Sequence, residues 1–190
     1  MNKNLLQILK NNLQEMGYPS NLILLTNNES GFQLVVDLDD EVDLKLSIFF
    51  LGDLLNTAST QEDVKAISKE LSENQVDFLQ LFIRYPFDFK PTIVSDLARF
   101  ILMANWSTPI GGFGLNESQG ILYYRHVFEY MGDEPGENMI LEAVNAMAFY
   151  AKLRFESLQL IASGDLSLDE YLNELDRAQR RSEEFPGYDL

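Results

Sequence analysis

Residues 32–50 read Phe32-Gln33-Leu34-Val35-Val36-Asp37-Leu38-Asp39-Asp40-Glu41-Val42-Asp43-Leu44-Lys45-Leu46-Ser47-Ile48-Phe49-Phe50. Phe32, Leu34, Val36 and Leu38 alternate with their neighbours, and Leu44, Leu46, Ile48 and Phe50 do the same. Successive side chains of a strand point to opposite faces, so each run presents one apolar face. Asp39-Asp40-Glu41 supplies a polar turn between them. Two such runs around a short turn predict a β-hairpin with one face toward a core.

On the amino-terminal side the period changes. Leu5, Leu6, Ile8, Leu9, Leu13 and Met16 fall at spacings of three, four and seven, which predicts an amphipathic helix over 4–16 that Gly17 ends and Pro19 keeps from continuing. Residues 22–26 are expected to form a strand, closed by a turn at 27–30. On the other side, residues 61–72 carry Val64, Ile67 and Leu71 on one stripe behind a capping Thr60, and residues 77–85 return to a period of two. Pro86 and Pro91 bracket a loop. Ile93, Val94, Leu97, Phe100, Ile101 and Ala104 predict a helix over 92–105. Pro109, Gly111, Gly112 and Gly114 break it, and a second hairpin is expected from 112 to 128, turning near 116–120. The longest helix is expected over 136–162, with Gly164 at its C-cap. Ser167 and Glu170 form a capping box, flanked by Leu166 and Tyr171 as a hydrophobic staple, at the start of a last helix over 168–181. From 182 onward the polar tail is expected to fray.

Hairpin-linked strands with helices grouped around them indicate an α+β fold, an antiparallel sheet with helices packed on it. A chain of 190 residues suits one domain, here 1–165, with a helix and tail appended over 166–190. A hydrophobic content of 46% suffices for a core without covalent staples.

Composition also narrows function. There is no cysteine, which removes disulfides, thiolate nucleophiles and cysteine metal sites. A formal net charge of −16 repels phosphate backbones and anionic lipid, so neither nucleic acid nor a membrane is expected as a partner. No stretch reaches about 18 uninterrupted apolar residues. The opening Leu5-Leu6 run is broken by Gln7 and Lys10, unlike a signal peptide. The expected compartment is the cytoplasm.

No constellation of catalytic residues stands out. His126, the single histidine, shares an alternating face with Leu122, Tyr124 and Phe128, which suits a core or interface imidazole better than a base. Asp37, Asp39, Asp40, Glu41 and Asp43 lack the central glycine and distal glutamate of an EF-hand, so a solvated hairpin tip is expected and no metal or cofactor. Gly111, Gly112 and Gly114 follow a helix and open a strand, the reverse of a phosphate loop, and no lysine accompanies them. A carboxylate-based or metal-dependent hydrolase and a small-ligand sensor are the alternatives. Paired buried carboxylates would mark the first, and a closed apolar pocket the second.

One segment carries a family likeness. An apolar helix ends near Asn105, and Pro109, the step Gly112-Phe113, Leu115, a turn and the strand Ile121-Leu122-Tyr123-Tyr124-Arg125 follow, before the alanine-containing helix at 137–162. In this order residues 93–164 resemble the YbjN family, described as bacterial sensory transduction regulators. The resemblance implies a type III secretion chaperone-like fold, commonly a homodimer, that binds protein and has no catalytic residues. The helix at 168–181 departs from that family's pattern.

The strands point to an interaction surface independently. The face opposite the core should be polar if it met only water. Val35, Phe49, Phe78, Phe82, Tyr123 and Val127 stand on it instead, among Gln33, Lys45, Ser47, Gln80 and Arg125. A half-apolar outer face is a candidate binding surface, or else one covered by another part of the chain. Trp106, at the end of a helix, is a second candidate, with packing as the favoured role. The expected function is that of a non-enzymatic protein-binding module, chaperone-like or regulatory and homodimeric.

Overall fold

The computed structural model describes residues 2–25, 31–52, 76–131 and 136–184. The turn expected at 27–30 and the helix expected over 61–72 lie outside them. The described elements are α1 (Asn2–Glu15), β1 (Ser20–Leu24), β2 (Phe32–Asp39), β3 (Leu44–Phe50), β4 (Val76–Arg84), α2 (Val94–Trp106), β5 (Gly112–Asn116), β6 (Ile121–Met131), α3 (Glu137–Ser163) and α4 (Leu168–Glu184). A 3₁₀ turn at Pro91–Ile93 leads into α2, and another at Glu117–Gln119 joins β5 to β6.

The six strands form one antiparallel sheet in the order β1-β2-β3-β4-β6-β5. The predicted hairpin of residues 32–50 is present, its register running from Gln33 opposite Phe49 to Asp39 opposite Leu44. Leu34, Val36, Leu46, Ile48, Leu79, Leu81, Ile83 and Leu122 are all fully buried on its inner face. A slip of one residue would turn this entire set to the outside, so burial itself pins the register.

All four described helices contribute to the core formed on that inner face. The fold is therefore α+β, as its alternation implied. In α1, Leu5, Leu6, Leu9 and Leu13 are buried, while Ile8 and Met16, expected on the same stripe, are exposed. In α3, Ala143, Ala148 and Ala151 sit among the buried residues, and small side chains let the helix axis come close to its neighbours. The Tyr85 hydroxyl donates to the Ala151 carbonyl at 3.0 Å. Burial pushes this phenol, and that of Tyr124, well above the ordinary range, so both stay neutral donors. Tyr85 also packs on Phe87 and Phe155, with ring centroids 5.4 and 5.9 Å apart, which fastens α3 to the end of β4.

Helix ends follow their chemistry. Gly164 takes the left-handed conformation (φ 77°) at the end of α3, returning its N–H to Ile161. In the capping box, the Ser167 N–H donates to Glu170 at 2.9 Å, and the Glu170 N–H approaches the Ser167 hydroxyl at 3.3 Å. The Ser167 hydroxyl, which donates to the same carboxylate at 2.6 Å, and the Ser167 N–H together hold the Glu170 carboxyl below the usual carboxylate range. Helix α4 runs to Glu184, three residues beyond the expected end. It is docked through Leu168, which is buried, and through Tyr171, whose ring meets Phe100 edge-on at 5.1 Å.

One side chain joins α2 to β5. The Asn105 amide donates to the Phe113 carbonyl at 3.0 Å and accepts from the Phe113 N–H at 2.7 Å. This pair of bonds satisfies the backbone of Phe113 on the side turned away from β6.

Candidate protein-binding surface

Outer-face residues fall into three rows across the sheet. One runs Ile23, Gln33, Phe49, Gln80, Val127. The next runs Asn21, Val35, Ser47, Phe82, Arg125, Gly112. The third runs Asp37, Lys45, Arg84, Tyr123, Gly114. Phe78 lies beyond the first row, opposite Glu129. The structure thus places Val35, Phe49, Phe78, Phe82, Tyr123 and Val127 on a single face. None of them joins the core to which the helices contribute. Among the described residues, no helix is packed on this side.

The face is not flat. Phe82 and Tyr123 stack diagonally across β4 and β6, with centroids 5.4 Å apart and planes inclined by 25°. Tyr123 can lie down because Gly114 has no side chain: a Cβ there would fall 2.5 Å from the phenol ring. On one side of the stack is a depression of about 640 Å³, with Lys45, Ser47, Phe49, Phe82 and Arg84 in its lining and Asp43 and Asp88 also bordering it. On the other is one of about 350 Å³, with Gly111, Gly112, Tyr123, Arg125 and Val127 in its lining. Phe49 is only 7% exposed, so it lines the larger depression as a floor and does not project as an anchor. Ile23, at 45%, and Val127, at 37%, are the most exposed apolar residues of the three rows.

Trp106 departs from the packing role favoured for it. It is 94% exposed, with Leu102 at 72% and Met103 at 40% on the same helix. The buried residues of α2 are Leu97, Phe100, Ile101 and Ala104. Trp106 follows Leu102 by one turn, so it projects from the opposite side.

The acidic hairpin tip is occupied by cations of the chain itself. Asp39 receives Lys152 of α3 at 3.3 Å, and Asp43 pairs with Lys45. The bond to Asp43 raises the Lys45 pKa. Among the described residues, no three histidine or carboxylate side chains converge as a metal ion would require.

His126 lies opposite Leu81 in the register, with its ring edge-to-face on Phe128 at 4.6 Å. Partial burial lowers its pKa. A histidine whose folded pKa lies below its unfolded value, about 6.5, takes up its proton more readily when unfolded. Stability is then intact above pH 6.5 or so and declines as pH falls from there through the folded value. We expect the His126 ring resonances to titrate below about 6.5 by NMR. His126→Gln should flatten that part of the stability–pH curve. A midpoint above the ordinary value would contradict the assignment.

Comparison with known proteins adds little beyond this geometry. No family model matches the chain, and no curated protein does. A solved structure of an uncharacterized protein from Methanothermobacter thermautotrophicus is similar at 14% identity, with a TM-score of 0.43, over 84% of this chain and 99% of that one. Among the described residues, no helix is long and apolar enough to cross a membrane.

Sequence reasoning found the outer face, Arg125 included, but not which side chains stand beside its arginines. Arg84 is next to Tyr123 and Arg125 next to Phe82 only because β4 lies beside β6. That adjacency spans some forty residues and leaves no local signal.

Proposed function

We propose that this chain is a non-enzymatic, cytoplasmic protein-binding module, chaperone-like or regulatory, that acts as a homodimer. The supporting observation is the outer sheet face. It offers Phe82, Tyr123 and Val127 to the outside, with two depressions beside the aromatic stack and no described helix over it. Aromatic side chains with arginine are the residue types that dominate binding energy at protein interfaces. The resemblance of residues 93–164 to the YbjN family belongs to the same proposal, together with the chaperone-like fold and the dimer that it implies.

The second copy is assigned to the ridge of Leu102, Met103 and Trp106. Two copies that each carry −16 repel one another, so they can meet only where the surface is neutral. From Phe100 to Asn116 the chain carries no charged residue. The ridge lies within that stretch and exposes its largest apolar side chains.

Two measurements test the proposal separately. Light scattering on the full chain should give twice the chain mass, and Leu102→Glu with Trp106→Glu should give a monomer with an unchanged circular dichroism spectrum. A wild-type monomer at high micromolar concentration would remove the dimer. For the sheet face, tagged wild type and a Phe82→Glu variant are compared in capture from a lysate of the native cell. A specific protein retained by the wild type and lost by the variant supports the reading. Identical capture by both would sink it.

A further inference from the structure

We infer that the outer face selects an acidic, extended segment of its partner, with one carboxylate on Arg84 and another on Arg125. This rests on the reading of that face as a protein-binding surface, and adds the chemistry of what binds.

The observation is a pair of exposed arginines that flank the aromatic stack of the outer face. Asp and Glu number 30 against 14 Lys and Arg, yet most of the described cations have no carboxylate within ion-pair distance. Lys45, Lys152, Arg99 and Arg180 each have one within 4 Å. Arg84 and Arg125 are exposed and, like Lys3, Lys10 and Lys90, make no ion pair among the described residues; what distinguishes them is their place beside the aromatic stack. They are also diagonal neighbours, since Arg84 lies opposite Tyr123 and Arg125 opposite Phe82. Like charges on adjacent strands repel, which costs the free fold stability and is relieved when an anion binds.

Arg84 and Arg125 form one diagonal of a square whose other diagonal is the Phe82–Tyr123 stack. Each arginine lines one of the two depressions, and the stack is the ridge between them; Asp43, held by Lys45, and Asp88 border the depression of Arg84, so a carboxylate there must sit on the guanidinium itself. Diagonal cross-strand neighbours lie about 7–8 Å apart. Alternate side chains of an extended peptide point the same way and repeat at about 6.6 Å. A strand laid over the ridge therefore sets carboxylates at positions i and i+2 over the two guanidiniums. Each arginine has the donor fork to take a carboxylate bidentately. The aromatic rings beneath the peptide exclude water and strengthen both contacts. Nucleic acid also matches arginine beside aromatic rings. The charge of −16 disfavours it, because a polyphosphate feels the whole chain while two carboxylates feel the local pair.

The test uses the full chain and a fluorescein-labelled nine-residue peptide of alternating aspartate and leucine, read by fluorescence anisotropy. Its asparagine–leucine counterpart is the neutral probe, and a ten-nucleotide oligouridylate is the nucleic-acid probe. The acidic peptide should bind about tenfold or more tightly than the neutral one. Arg84→Gln and Arg125→Gln should each remove about that preference. Both side chains are exposed, so neither change should disturb the circular dichroism spectrum. If the two peptides bind equally and Phe82→Ala weakens both, the acidic preference is overturned while the binding face stands. Binding of neither peptide overturns the inference, and the lysate comparison of Phe82→Glu then decides the face on its own. Arginine-dependent binding of the oligouridylate, without the acidic peptide, overturns both.

Discussion

Gly111→Ala should destabilise the protein by roughly 3 kcal/mol, far more than a glycine-to-alanine change in an open turn. Two costs combine. Gly111 has φ +66°, where an L side chain is strained. Its Cβ would also fall 2.5 Å from the carbonyl oxygen of Arg125, a backbone atom that cannot move without shifting β6. Gly120 separates the two contributions. Its φ is nearly the same, +65°, but nothing lies within 4 Å of the position its Cβ would take. Gly120→Ala should therefore cost only about 1 kcal/mol. Urea unfolding of both variants measures the difference, and equal losses would refute the close approach. The effect reaches the surface as well, because Gly111 and Arg125 line the same depression.

Leu81→Ala should cost about 3–5 kcal/mol. Leu81 is fully buried at the middle of β4, paired with Ile48 on one side and His126 on the other. Its removal loses transfer free energy and leaves a cavity bounded by paired strands that cannot collapse into it. Leu102→Ala, the same chemistry at a site 72% exposed, should change stability by less than about 0.5 kcal/mol. Chemical denaturation of the two variants gives the contrast. A loss below about 1 kcal/mol at Leu81 would mean that β4 is not the centre of the core.

Much of this architecture was legible because burial imposes a period. The hairpin of residues 32–50, the strand containing Leu79, Leu81 and Ile83, and the α2 stripe of Leu97, Phe100, Ile101 and Ala104 all stand where alternation or helical spacing placed them. The capping box worked because it is local chemistry. Errors came where tertiary contacts override pattern. Strand β1 begins at Ser20, two residues before the expected start. There the Pro19 carbonyl accepts from the Asp37 N–H, and the buried Ser20 hydroxyl donates to Lys10 of α1, so a polar residue serves inside the strand. Trp106 was judged by its type, whereas its helical position, one turn past Leu102, already pointed away from Leu97 and Phe100. The outer face could be read from alternation within each strand. The square of Phe82, Arg84, Tyr123 and Arg125 could not, because it depends on which strands are neighbours.

The double bond of Asn105 to Phe113 has a consequence for assembly. A β-sheet polymerises into a ribbon when strands can be added at both of its margins. At the β5 margin Phe113, the second of that strand's five residues, already has its donor and acceptor taken by a side-chain amide, so an incoming strand meets a break in the template there. Of the two margins of the described sheet, β1 is then the better placed for lateral growth, and one margin joins two molecules and then stops. An asparagine thereby works against endless fibre formation through this sheet.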